Sequence, residues 1–178
     1  MANPKTLWKS LAKALAADRA ALEGKRRRPA KNGRRSGSPR LSKKYPGDFE
    51  GRFDVSYHPD IDGEPDPGEV VWTWVPYEED HKRGKDRPVL LVGRDGDWLL
   101  GLMLTSKDHD RDAADEARWG RHWIDIGSGG WDSKGRPSEA RLDRILRIDP
   151  RAVRREGAVL KKSIFTKVEN SLARTLGW

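Results

Sequence analysis

Two apolar runs joined by a single turn signal constrain this chain more than any other feature. Pro88-Val89-Leu90-Leu91-Val92 and Leu99-Leu100-Gly101-Leu102-Met103-Leu104 flank Asp95-Gly96. Asp-Gly is favoured where turn residues need positive φ, so the segment reads as a tight antiparallel hairpin. Runs this apolar belong to strands buried in a sheet. The hairpin also brings the start of one strand, Arg87, and the end of the other, Thr105-Ser106, to the same edge of that sheet. A guanidinium beside a hydroxyl is a natural seat for a phosphate.

Other strands surround the hairpin. Glu69-Val70-Val71-Trp72-Thr73-Trp74-Val75 ends at Pro76, Trp123-Ile124-Asp125-Ile126 is short and apolar, and Ala140 to Ile148 mixes polar and apolar residues. Trp72 and Trp74 share one strand face, which is expected to be core. Asp149-Pro150 reads as an N-cap followed by a first helical proline. Ser163 to Leu176 is an amphipathic helix with Ile164, Val168, Leu172 and Leu176 at fourfold spacing, capped by Gly177. Short strands closed by a terminal helix predict a mainly β (α+β) fold, a small barrel or strongly curled sheet.

The N-terminal quarter differs in kind. Residues 1–23 read as an amphipathic helix on Leu7, Leu11 and Leu15, and 24–44 as a basic disordered linker with ten Lys/Arg. Residues 45–67 are a loop-rich lead-in, and 68–178 hold the folded domain. Residues 1–44 carry fourteen Lys/Arg against two acids, a balance of +12, whereas 45–178 carry twenty-two against twenty-six, a balance of −4. The basicity of the chain is therefore local to a tail that could engage nucleic-acid phosphates, chiefly through residues 25–44. The acidic stretch 107–121 reads as a mobile loop. There are no cysteines, which excludes disulfides and thiolate chemistry, and no apolar run is long enough to span a membrane. The default expectation is a soluble cytoplasmic protein.

The order of motifs resembles the PemK/MazF family of toxin endoribonucleases from type II toxin–antitoxin systems. The resemblance runs through Gly68-Glu69-Val70-Val71-Trp72, Arg87-Pro88-Val89-Leu90-Leu91-Val92, Leu104-Thr105-Ser106, Arg141-Leu142-Asp143 and Leu146-Arg147-Ile148-Asp149 to Leu176-Gly177-Trp178, covering roughly residues 66–178. It implies a Src-homology-3-like curled β-barrel closed by the C-terminal helix. It further implies cleavage of single-stranded RNA (mRNA) without metal or other cofactor, a homodimer, and inhibition by a small antitoxin protein. Met103 and Arg144 depart from the family pattern, so no RNA-sequence preference is carried over.

By the same resemblance Arg87 would clamp the scissile phosphate and Thr105 would donate its hydroxyl to it. Asp143 matches a carboxylate used as base, and Arg141 an arginine assigned as acid or second clamp. An arginine acid is chemically awkward, since its pKa lies above roughly 12. Lys85, Ser106, Lys107 and Arg144 are expected to contact RNA, with Trp131, in the Gly-rich stretch 127–137, as a base-stacking candidate. Each has a plainer reading. Arg87 could be a solvated strand-start residue, Thr105 a strand end, and Arg141 and Asp143 an ion pair. The four histidines and the cluster Glu78-Glu79-Asp80 read as surface residues. Two alternatives stay open: a non-catalytic nucleic-acid-binding barrel with a basic arm, and an interaction module that docks through the N-terminal helix.

Overall fold

A computed structural model describes residues 44–60, 62–107 and 120–178. The expected N-terminal helix and nearly all of the basic linker lie outside the described residues, as does most of the acidic stretch 107–121. Seven strands form one curled sheet: β1 (Glu69–Pro76), β2 (Gly84–Asp95), β3 (Trp98–Thr105), β4 (Trp123–Gly127), β5 (Ser138–Arg141), β6 (Leu146–Ile148) and β7 (Arg155–Val159). The strand order is β4-β5-β3-β2-β1-β7, with β6 also paired to β3. Helix α1 (Lys162–Leu176) follows. The fold is mainly β with a closing helix, of the curled-sheet class expected from the sequence.

The β2–β3 hairpin forms the centre of the sheet. Its last register pair is Asp95 with Trp98, so the two turn residues are Gly96 and Asp97 rather than Asp95 and Gly96. Gly96 has φ 58°, and no non-glycine among the described residues has positive φ. Positive φ at the first turn residue alone is the pattern of a type II′ turn, not the doubly positive type I′.

Strand alternation sorts the apolar residues onto two faces. Val70, Leu90, Leu102 and Leu104 pack with Phe165, Val168 and Leu172 of α1. Val71, Val89, Leu91, Leu99, Leu146 and Ile148 form a second buried cluster on the opposite face. Each fully buried aliphatic side chain contributes about 1.5–3 kcal/mol relative to exposure. Trp72 and Trp74 were expected to be core. Both are half-buried, while Val71, Thr73 and Val75 between and beside them are buried.

The stretch Ala140 to Ile148 is not one strand. β5 pairs with the end of β3 at Leu104–Thr105, whereas β6 pairs with its start at Leu99–Gly101. The chain must break between them to reach both halves of the same neighbour. The C-terminal helix ends as expected, on Gly177 at φ 70° with its N–H bonded to the Ala173 carbonyl. Asp149 caps a 3₁₀ turn, Pro150–Ala152, by accepting from the Arg151 N–H.

The lead-in is more than a loop on the surface. Phe49, Phe53, Val55 and Tyr57 pack against the core that α1 covers. The Tyr57 hydroxyl donates to the Leu160 carbonyl at 2.8 Å, and Phe53 meets Trp178 edge to face. Gly93 of β2 makes room for this segment, since a Cβ there would lie 2.8 Å from the Phe53 ring.

Candidate active site

The register of β2 with β3 includes Val89 opposite Met103. The paired register ends there, and Arg87 and Thr105 each lie two residues beyond this last pair, at the edge where the hairpin opens. Both residues line a cavity of about 190 Å³ together with Ser106, Pro88, Leu104 and Trp72. Asp86, Trp131, Asp132, Arg136 and Ser138 complete the lining. The sequence brings Arg87, Thr105 and Ser106 to one edge, and the stacking candidate Trp131 joins them in the lining. Sequence reasoning missed Trp72, Asp86, Asp132, Arg136 and Ser138. The Gly-rich stretch around Trp131 was the available signal for three of these, because a loop that folds over a strand edge delivers its polar residues there.

The charges around the cavity are unequally matched. Asp86 bonds the Arg154 guanidinium, and Asp132 pairs with Arg136 at 2.8 Å. The Lys134 N–H, with smaller help from Arg136, holds the Asp132 carboxyl below its ordinary value. Among the described residues, no hydrogen-bond or ion-pair partner is found for the Arg87 guanidinium. Thr105 Oγ1 accepts the Lys107 N–H at 3.1 Å, which leaves its own O–H free to donate. Lys85, Ser106 and Lys107 are exposed nearby in sequence.

Arg141 and Asp143 do not line the cavity, but Arg141 lies on the same face of the sheet as Thr105. Thr105 is paired with Glu139, and Arg141 lies two residues along β5 on the same side. The expectation that Arg141 and Asp143 share a strand face needs one correction: β5 ends at Arg141, and Asp143 reaches back from the turn beyond it. Arg141 Nε donates to both Asp143 oxygens, at 3.2 and 3.0 Å, and Nη2 to Oδ2 at 2.6 Å. Nη1 donates to Glu78 at 2.9 Å. Asp143 also accepts the His122 N–H at 2.8 Å. Burial opposes the Arg141 charge, but hydrogen bonds and charges from Asp143 and Glu78 more than offset it, holding the guanidinium above its ordinary value. That makes it a still poorer proton donor and favours an electrostatic part.

Two expected RNA contacts are placed in the interior. Arg144 is 6% exposed, and its fork grips Asp48 at 2.6 and 3.1 Å. It ties the lead-in to the β5–β6 turn and has no face to offer a nucleotide. Trp131 is 3% exposed. Its indole N–H donates to Ser138 at 3.1 Å, its carbonyl accepts the Trp72 indole N–H at 2.9 Å, and Gly129 packs on its ring so closely that a Cβ would lie 2.1 Å away. A ring so covered forms a wall of the cavity and cannot stack a base.

Residues 66–176 match the family model described as PemK-like, MazF-like toxin of type II toxin-antitoxin system. The chain belongs to this toxin family. Toxins of the PemK/MazF family are generally endoribonucleases. Among solved structures, the chain is similar to MazF from Deinococcus radiodurans, at 19% identity and TM-score 0.48, over 66% of this chain and 100% of that one. It is also similar to an endoribonuclease in complex with its cognate antitoxin from a mycobacterial species, at 15% identity and TM-score 0.46, over 64% and 95%. A third is the Mycobacterium tuberculosis toxin MazF-mt6, at 13% identity and TM-score 0.41, over 61% and 96%. No curated protein sequence matches the chain. Among the described residues, the matched range takes in every strand of this PemK/MazF toxin and all of α1, while the aromatic residues of the lead-in precede it. Among the described residues, no helix is long and apolar enough to cross a membrane.

Proposed function

We propose that this PemK/MazF toxin cleaves single-stranded RNA by attack of a ribose 2′-hydroxyl on the adjacent phosphorus. The new O–P bond forms as the bond to the 5′-oxygen of the next nucleotide breaks. The 2′-proton passes to water and the departing 5′-oxygen takes one from water, so the products are a 2′,3′-cyclic phosphate and a free 5′-hydroxyl, and the reaction requires no metal. The observation that carries the reading is that Arg87, whose guanidinium has no protein partner among the described residues, and Thr105 line the same cavity. Arg87 supplies charge to the phosphate as negative charge grows on it, and Thr105 donates to a phosphate oxygen. Arg141 stands on the same sheet face as Thr105, held there by Asp143 and Glu78. With both of its oxygens engaged, Asp143 is better suited to positioning Arg141 than to taking the 2′-proton.

As a toxin of a type II pair, the protein is expected to act as a homodimer and to be neutralised by a small antitoxin. The experiment is incubation of the full chain with a long unstructured RNA in EDTA, followed by analysis of the new ends. Arg87→Ala is expected to lose roughly 10²–10³-fold in rate, the usual cost of one transition-state donor. Absence of cleavage by the wild type, or equal cleavage by Arg87→Ala, refutes the proposal.

A further inference from the structure

Arg141 is the only one of the expected site arginines that is neutralised twice. Its side chain is 8% exposed, with Asp143 on one edge and Glu78 on the other. Counting the three formal charges, the cluster is −1, which repels an RNA phosphate rather than attracting it. The two carboxylates are not equivalent. Asp143 is 15% exposed and bonds through both oxygens to Arg141, and it is anchored further by the His122 N–H. Glu78 is 55% exposed and makes a single bond, from Arg141 Nη1. It comes from the β1–β2 connection, whose backbone is closed by its own hydrogen bonds, Tyr77 to Arg83 and Arg83 to Asp80. The Glu78 side chain can therefore rotate into water without unfolding its loop. A half-exposed, singly bonded ion pair is weakly held, whereas the Asp143 pair is not.

We propose that Glu78 is a displaceable cap that occupies the phosphate position on Arg141, and that RNA binding exchanges this carboxylate for a backbone phosphate. The inference rests on the reading of this face as an RNA site. Glu78 is thus a positioning residue acting through Arg141. With Glu78 in place, Arg87 is the phosphate receptor that stands open. When a phosphate displaces Glu78, Nη1 of Arg141 joins it, and Asp143 keeps the guanidinium aimed. The exchange gives a strand that presents two phosphates one contact at Arg87 and a second at Arg141.

The test uses a fluorescently labelled single-stranded oligonucleotide with deoxyriboses throughout, which lacks the attacking hydroxyl and reports binding alone. Fluorescence anisotropy is read for wild type, Glu78→Gln, Arg141→Gln and the double variant, alongside RNA cleavage by each. Glu78→Gln keeps the shape and removes the charge. It is expected to tighten binding roughly three- to tenfold at low salt and less at high salt, and to lower KM with little change in kcat. The gain should vanish in the Arg141→Gln background. Unchanged or weaker binding by Glu78→Gln overturns the proposal, as does a gain that survives loss of Arg141, which would be a general charge effect. Tighter binding without cleavage by any variant sustains the cap and refutes the nuclease. Cleavage with no gain on Glu78→Gln does the reverse, and absence of binding by every variant refutes both.

Discussion

Arg144→Gln separates a structural arginine from a nucleic-acid contact. The substitution leaves Asp48 facing the β5–β6 turn without its fork, removing charge-assisted bonds of 2.6 and 3.1 Å. A fully exposed pair would cost about 0–1 kcal/mol, and a broken buried pair about 3–5 kcal/mol. Arg144 is 6% exposed and Asp48 24%, so Asp48 can be partly rehydrated once freed. The expected loss is about 2–3 kcal/mol. With a urea m-value of roughly 1–3 kcal/mol/M, that lowers the midpoint by about 1 M. Urea unfolding of the full chain, followed by tryptophan fluorescence, measures it. Arg144→Lys should recover little, because an ammonium cannot reproduce the bidentate fork. A cycle with Asp48→Asn should give a coupling of about 1–3 kcal/mol. RNA affinity of the folded variant should be unchanged under strongly native conditions. An unaltered midpoint combined with weakened RNA binding would refute the reasoning and return Arg144 to the binding surface.

Thr105→Val removes the donor hydroxyl at constant shape and is expected to lower the cleavage rate by roughly 10²-fold; unfolding curves overlaid on wild type with normal cleavage would show that the hydroxyl does nothing in the reaction. Gly101→Ala would set a Cβ 2.4 Å from Val89 Cγ1, an overpacking cost of about 1–3 kcal/mol, and Val89→Ala should relieve it; equal stability of single and double variants would count against the contact. Tyr45 is raised well above the ordinary tyrosine range, first by burial and then by the bond to Asp48 and its charge. Because the raised group is the neutral form held in the fold, its stabilisation is complete below the unfolded pKa of about 10 and is lost as pH rises beyond it. Tyr45→Phe should flatten the alkaline limb of a stability–pH profile, and an unchanged limb would contradict this origin.

The sites that sequence reasoning reached are those governed by local rules. The hairpin was legible because an apolar run, a turn glycine and a second run act within twenty residues, and its register then carried Arg87 to Thr105. Arg141 was placed near them only through the order of motifs. Its partner Glu78 is 63 residues away in sequence, and no local pattern announces such a pair. Arg144 shows the opposite failure. A basic residue beside a candidate site reads as a ligand contact until the burial of its neighbourhood is known. Trp131 reads as a stacking candidate from its Gly-rich surroundings, and only the folded loop reveals Gly129 covering its ring.

Periodicity and turn chemistry by themselves determined β1, the β2–β3 hairpin, the helix with its glycine cap, and the segregation of positive charge into the first 44 residues. These depend on steric and solvation preferences that act over a few bonds. Tertiary structure alone decided that β3 divides its edge between β5 and β6 and that Arg155–Val159 completes the sheet beside β1. It also decided that the lead-in seals the core and which arginines are spent on carboxylates. Those outcomes depend on which distant groups share one desolvated space, where an unpaired charge is costly and each guanidinium must find its partner or remain open to a ligand.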